Sequence, residues 1–93
     1  MDNKWLIVGL GNPEPKYERN RHNIGFWAMD FLFNKLEKEI IKNKYSGLFK
    51  SEINNNEVYF SKPFFYINES GIAVKKIASE LNIEPNKIII VVD

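Results

Sequence analysis

The chain has 93 residues, of which 44% are hydrophobic and 27% charged, with a formal net charge of +1. That balance belongs to globular proteins, excludes a disordered polyelectrolyte, and allows at most one ordinary domain burying about 60% of the surface exposed by its unfolded chain. The absence of cysteine and the single histidine exclude disulfides, thiolate nucleophiles and cysteine- or histidine-cluster metal sites.

In chain order, Trp5-Leu6-Ile7-Val8-Gly9-Leu10 is a continuous apolar run closed by Gly11-Asn12-Pro13, the pattern of a buried strand followed by a turn. It is too short for a secretory signal core with its processing site or for a membrane span of about 20 residues, so a cytoplasmic protein is expected. Pro13 and Pro15 keep residues 12–15 out of a regular helix. From Asn23 to about Ile41 apolar residues recur at helical spacing through Phe26, Met29, Leu32, Phe33, Leu36 and Ile40, predicting one helix whose first turn is weakened by Gly25.

Residues 46–53 and 57–62 read as two extended segments joined by Asn54-Asn55-Asn56, a hairpin, and Ser61-Lys62-Pro63 breaks the second of them. A second helix is predicted from Glu69 or Ser70 to Leu81, with Ala73, Val74, Ile77, Ala78 and Leu81 inward and Lys75, Lys76 and Glu80 outward. The final run, Ile88 to Val92 before Asp93, is β-branched and apolar throughout, as in a central strand covered on both faces. Such a strand needs neighbours and covering layers. The expected fold class is therefore α/β, with a mixed, mostly parallel sheet flanked by helices, forming the N-terminal portion of a larger single domain.

If residues 57–62, the second helix and the last strand form a β-α-β unit, those strands run parallel. With the first strand parallel to them, Asn12, His22, Asn68 and Asp93 gather at one end of the sheet, where open α/β sheets place ligands. Two helix starts, near Asn23 and Glu69, add unpaired backbone donors there. A carboxylate such as Asp93 can fix the tautomer of His22 while the opposite ring nitrogen takes a proton from water. Asn12 and Asn68 can orient that water or donate to a developing oxyanion. No serine stands in a strand-to-helix GxSxG elbow, and Ser70 reads as a helix cap. Strand-Gly9-Leu10-Gly11 faintly suggests a nucleotide-binding turn, but Pro13, Glu14 and Pro15 oppose direct entry into a helix. Residues 1–50 hold nine basic and six acidic side chains against four and six in residues 51–93, which is compatible with a polyanion near the first loops.

Leu6-Ile7-Val8-Gly9-Leu10-Gly11-Asn12-Pro13, Tyr17, Arg21-His22-Asn23 and Lys62-Pro63-Phe64-Phe65-Tyr66-Ile67-Asn68-Glu69-Ser70-Gly71, together with the strand ending in Asp93, closely resemble the bacterial-type peptidyl-tRNA hydrolase family. The resemblance covers essentially all of residues 1–93, which are read as a partial domain of that kind. It implies hydrolysis of the ester joining a peptide to the terminal ribose of tRNA, with peptidyl-tRNA as the partner, no metal or organic cofactor, no membrane, and a monomer for the full-length domain. It also implies His22 and Asp93 as catalytic residues and Asn12, Tyr17, Asn23, Tyr66 and Asn68 as substrate-binding residues. Lys16, Arg19 and Arg21 are candidate electrostatic contributors.

The chain departs from the family pattern at Glu14 and Asn20, where glycine and threonine are usual, and at Phe65 and Ile67, where threonine and methionine are common. Ile67 keeps an apolar filler and Asn20 keeps hydrogen-bonding capacity, while Glu14 adds negative charge and Phe65 removes a hydroxyl. Family members generally run to nearly twice this length. The alternative expectation is therefore a tRNA-binding or structural fragment that keeps the fold without turnover.

Overall fold

The computed structural model describes residues 3–11, 24–64 and 70–91. Five strands form one sheet in the order β2-β3-β4-β1-β5, with β1 at Lys4–Gly9, β2 at Glu39–Ile41, β3 at Ser46–Ile53, β4 at Asn56–Pro63 and β5 at Ile88–Val91. Helix α1 spans Ile24–Lys35 and α2 spans Ser70–Leu81. Strand β1 pairs in parallel with both β4 and β5, so the connection through α2 carries the chain from β4 across β1 to the far side. The β2–β3 and β3–β4 pairs are antiparallel. The sheet is thus evenly mixed, and the expectation of a mostly parallel one is corrected.

The pleat of β1 explains the two layers. Leu6 and Val8 are fully buried and point to one face, where α2 delivers Ile77 and Ala78 and the following loop delivers Ile83. Trp5 and Ile7 point to the other, where Met29 of α1 packs with Phe49, Val58 and Phe60. Successive strand residues alternate faces, so one apolar run serves both layers. The Phe60 ring stacks on Phe49 at 4.8 Å, and Phe33 meets Phe49 edge-on at 5.3 Å, geometries that each add about 0.5–1.5 kcal/mol beyond the area buried.

The hairpin forms, but with a two-residue turn rather than Asn54-Asn55-Asn56, and β4 is not broken at Ser61-Lys62-Pro63, which stay in the ladder opposite Leu48, Gly47 and Ser46. Asn54 and Asn55 adopt φ of 51° and 67°, the double positive φ of the tight turn that matches strand twist, while Asn56 already pairs with Ile53. Helix α2 has the predicted inward stripe and closes on Asn82, whose φ is 57°. There the Asn82 amide donates to the Ser79 carbonyl at 3.2 Å and the Ile83 amide to the Ala78 carbonyl at 2.9 Å. This left-handed termination also turns Ile83 into the core.

Two further expectations are corrected. The first helix stops at Lys35 instead of continuing to Ile41, and Glu39–Ile41 becomes β2. The helical spacing does run on through Leu36 and Ile40, but the outer edge of β3 offers a ladder for Glu39, Ile40 and Ile41 opposite Lys50, Phe49 and Leu48. The Ser51 hydroxyl donates to the Glu37 carbonyl at 2.7 Å and fixes the break, and Lys50 reaches Glu39 at 3.5 Å. The last strand is also not central within this chain. Among the described residues β5 ends the sheet, leaving Ile89 47% and Ile90 43% exposed on opposite faces.

Candidate functional site at the C-terminal edge of the parallel strands

Because β1, β4 and β5 are mutually parallel, their C-terminal ends share one edge of the sheet. Gly11, Phe64 and Val91 are the last described residues after those strands, and α1 and α2 begin again at Ile24 and Ser70. The seven residues expected to form the site, Asn12, Tyr17, His22, Asn23, Tyr66, Asn68 and Asp93, lie in segments 12–23, 65–69 and 92–93, outside the described residues. So do Lys16, Arg19 and Arg21. What the structure brings together is the set of attachment points from which all three segments depart.

Two of them, the junction of β1 with the start of α1 and the end of β5, are in backbone contact. A Cβ placed on Gly25, in the first turn of α1, would lie 2.3 Å from the Leu10 carbonyl oxygen and 2.5 Å from that of Val91. One placed on Gly9 would lie 2.2 Å from the Gly25 carbonyl oxygen. The Leu10 amide donates to the Val91 carbonyl at 2.9 Å. The start of α1 is therefore pressed onto the junction of β1 and β5, which only a residue without a side chain permits at both positions. By its helical spacing alone Gly25 only weakens the first turn of α1. Its packing role is carried by the pairing with Gly9, invisible until the two elements are docked.

Beside this junction the penultimate residue of β4, Lys62, donates to both carboxylate oxygens of Asp30 at 3.0 and 3.2 Å and lies 4.9 Å from the centroid of the Phe26 ring. These contacts join α1 to the end of β4. On the other face, the Phe64 amide donates to the Tyr45 carbonyl at 3.0 Å, and the buried Ser61 hydroxyl donates to that of Ser46 at 2.9 Å. Both tie the end of β4 to the start of β3. The segment after Phe64 thus leaves from a braced position.

Among the described residues the perturbed titrations lie away from this edge. The Lys50 ammonium is held above its usual range, chiefly by the Glu39 carboxylate and then by Tyr59. Burial, followed by the Glu57 charge, raises the Tyr59 phenol. Near them, at the opposite end of the sheet, a groove of about 430 Å³ runs between the end of α1 and the hairpin. Its lysines, among them Lys35 and Lys38, alternate with Glu37, Glu39 and Glu57, a mixed lining with no single charge preference. Among the described residues no three His, Cys, Asp or Glu side chains gather as a metal-binding group.

The architecture defines a class, an open α/β sheet whose loops at the C-terminal ends of the parallel strands would carry the chemistry. Within that class the assignment is direct. The family model for peptidyl-tRNA hydrolase matches residues 6–93, and the chain belongs to the peptidyl-tRNA hydrolase family. It is 43% identical over 88 residues to the peptidyl-tRNA hydrolase of Mycoplasma mobile, covering 95% of this chain and 48% of that protein. It is 44% identical over 90 residues to that of Phytoplasma mali, covering 95% and 51%. The crystal structure of peptidyl-tRNA hydrolase from Acinetobacter baumannii superposes with a TM-score of 0.83 at 34% identity, over 97% of this chain and 47% of that one. The chain spans about half the length of the relatives it matches.

Proposed function

We propose that this chain carries the reacting half of an enzyme that hydrolyses the ester between a peptide and tRNA, with His22 as general base oriented by Asp93. The observation that supports the reading is that the three motif-bearing segments depart from one edge of the sheet, after Gly11, Phe64 and Val91, in a chain of this family. The tethers are short. Two residues separate His22 from Gly25 and one separates Asp93 from Val91, and Gly25 packs against the Val91 carbonyl. Since each trans peptide advances the chain by at most about 3.8 Å, a histidine–carboxylate pair at this junction is within covalent reach.

In the reaction the His22 imidazole removes a proton from water as its oxygen bonds to the ester carbonyl carbon. The carbonyl electron pair moves onto oxygen, and Asn12 or Asn68 donates a hydrogen bond to the resulting oxyanion, favouring it over the planar ester. Collapse of the tetrahedral intermediate breaks the bond to the ribose oxygen, which takes the proton back from the imidazolium. The products are a free peptide acid and tRNA with a free terminal hydroxyl. Asp93 holds the imidazole tautomer and stabilises its protonated form without leaving its charged state. Tyr17, Asn23 and Tyr66 line the pocket for the peptide and the terminal nucleotide. The proposal needs no metal or cofactor and takes the cytoplasm as the place of action. Among the described residues no helix is long and apolar enough to cross a membrane.

The test is release of labelled peptide from peptidyl-tRNA by the chain and by His22→Ala. Hydrolysis that falls by about 10²-fold or more in the variant supports the general-base role, whereas undiminished hydrolysis refutes it. The chain's half-length match to its relatives favours a second reading, a fragment that binds the tRNA end without turnover. Retention of an uncleavable tRNA-end analogue with no hydrolysis would establish that reading instead.

A further inference from the structure

A basic, aromatic surface stands next to the candidate site on the α2 face, outside every motif considered so far. The loop between β2 and β3 carries Lys42 and Lys44, both exposed, and Tyr45, half-buried against the core. The Lys44 ammonium lies 5.2 Å from the centroid of the Tyr45 ring, and that of Lys76, from α2, lies 5.8 Å from it. One ring thus has two cations from separate elements around it. The loop is held in this form at three points. The Tyr45 amide donates to the Asn43 carboxamide oxygen at 2.8 Å, the Asn43 side chain donates to Glu80 of α2 at 3.3 Å, and the Tyr45 carbonyl accepts from Phe64.

We infer that Lys44, Tyr45 and Lys76, with Lys42 at the margin, form a docking surface for the ribose-phosphate backbone of the RNA substrate where it leaves the reaction site. The inference rests on the proposed function for the identity of the polyanion. Phosphate binding calls for clustered cations, and single-stranded nucleic acid adds stacking on aromatic rings. This cluster has both, with Glu80 as the one carboxylate in its contacts among the described residues, and that group already accepts from Asn43. Location is the second argument. Phe64, bonded to Tyr45, is the residue from which the segment bearing Tyr66 and Asn68 departs, so Tyr45 stands beside the point where that segment leaves the sheet. A pair of similar chemistry at the other end of the molecule, Lys38 at 4.3 Å from Phe33 and Lys35 at 5.6 Å from Phe31, is distant from the site and has Glu37 and Glu39 in its groove.

That second pair supplies the control. Binding of labelled, deacylated tRNA to the full chain is followed across a salt series for the wild type, for Lys44→Gln with Lys76→Gln, and for Lys35→Gln with Lys38→Gln. All four lysines are exposed, and unchanged circular dichroism and thermal midpoints establish that each variant folds. The first pair is expected to weaken binding at low salt and to reduce the slope of log affinity against log salt by about 1.4, the loss of two phosphate contacts on a single strand. The control pair is expected to leave both unchanged. Equal losses from the two pairs, no loss from the first, or no binding of tRNA by the wild type would each overturn the inference. Hydrolysis is measured separately. A chain that binds through Lys44 and Lys76 but cleaves nothing refutes the proposed reaction and leaves the docking surface standing.

Discussion

Replacing Gly25 by alanine sets two effects of known size against each other. Alanine is the better helix former by about 1 kcal/mol, so on local grounds Gly25→Ala stabilises α1. The added methyl, however, would sit 2.3 Å from the Leu10 oxygen, 2.5 Å from the Leu10 nitrogen and 2.5 Å from the Val91 oxygen. All three are backbone atoms of the β1–β5 junction, so no side chain can rotate away, and α1 must lift from the sheet by about an ångström to restore contact distances. Overpacking of this kind typically costs 1–3 kcal/mol, and rigid backbone on every side puts this case at the upper end. Net of the propensity gain, the loss should be about 2 kcal/mol, or roughly 8–16 °C in thermal midpoint for a domain of this size. Gly71, in the first turn of α2, has nothing within 4 Å of the corresponding position, and Gly71→Ala should stabilise by about 0.4–1 kcal/mol. Urea and thermal unfolding of the two variants measure the contrast directly. A neutral or stabilising Gly25→Ala would refute the close docking of α1 onto the strand ends, and with it the convergence on which the candidate site depends.

Other perturbations probe separate parts of the fold. Ser61→Ala should cost about 1–2 kcal/mol because it leaves the buried Ser46 hydroxyl without its partner, while the double variant with Ser46→Ala should recover most of that loss; a double-mutant cycle by urea unfolding checks it. Stability should fall as pH rises above about 10, because the folded state holds the Tyr59 proton more tightly than the unfolded chain, whose phenol titrates near 10. In Tyr59→Phe the fall between pH 9 and 11, followed by thermal midpoint, should shrink. Asn55→Gly should stabilise the hairpin by a few tenths to about 1 kcal/mol, since glycine takes the 67° φ at Asn55 without steric cost; a lower denaturation midpoint would contradict the turn geometry. Ser51→Ala removes the bond to the Glu37 carbonyl and should cost about 1 kcal/mol, with faster amide exchange in β2 than in β4.

Patterning and tertiary context divided the fold between them in identifiable ways. The runs at Trp5–Leu10, 46–53, 57–62 and Ile88–Val92 and the stripe of α2 were legible from the sequence, because the first and last are short unbroken apolar runs, the middle two flank a turn, and α2 repeats at the helical period. The motif residues Asn12, His22, Asn68 and Asp93 were legible too, from their resemblance to a family that the comparisons bear out. That the segments bearing them depart from one edge followed from connecting parallel strands through helices: β1, β4 and β5 end on the same side of the sheet, and the start of α1 packs on the ends of β1 and β5.

Other features depended on partners that no local pattern contains. Ile40 satisfies the helical period from Leu36, yet it is a strand residue because the edge of β3 lies open beside it and Ser51 caps the break; backbone pairing across the sheet outweighs a period carried by one more residue. Gly25 looks like a flaw in a helix until Gly9, Leu10 and Val91 come against it. The cations around Tyr45 come from two elements about thirty residues apart in sequence, and only docking of α2 on the sheet makes them one surface. The sequence determined most of the elements and the family, since both rest on local periodicity and motif spacing. The tertiary structure decided which edges stay open, where a glycine is obligatory and which charges become neighbours, because each of those is a contact between segments distant along the chain.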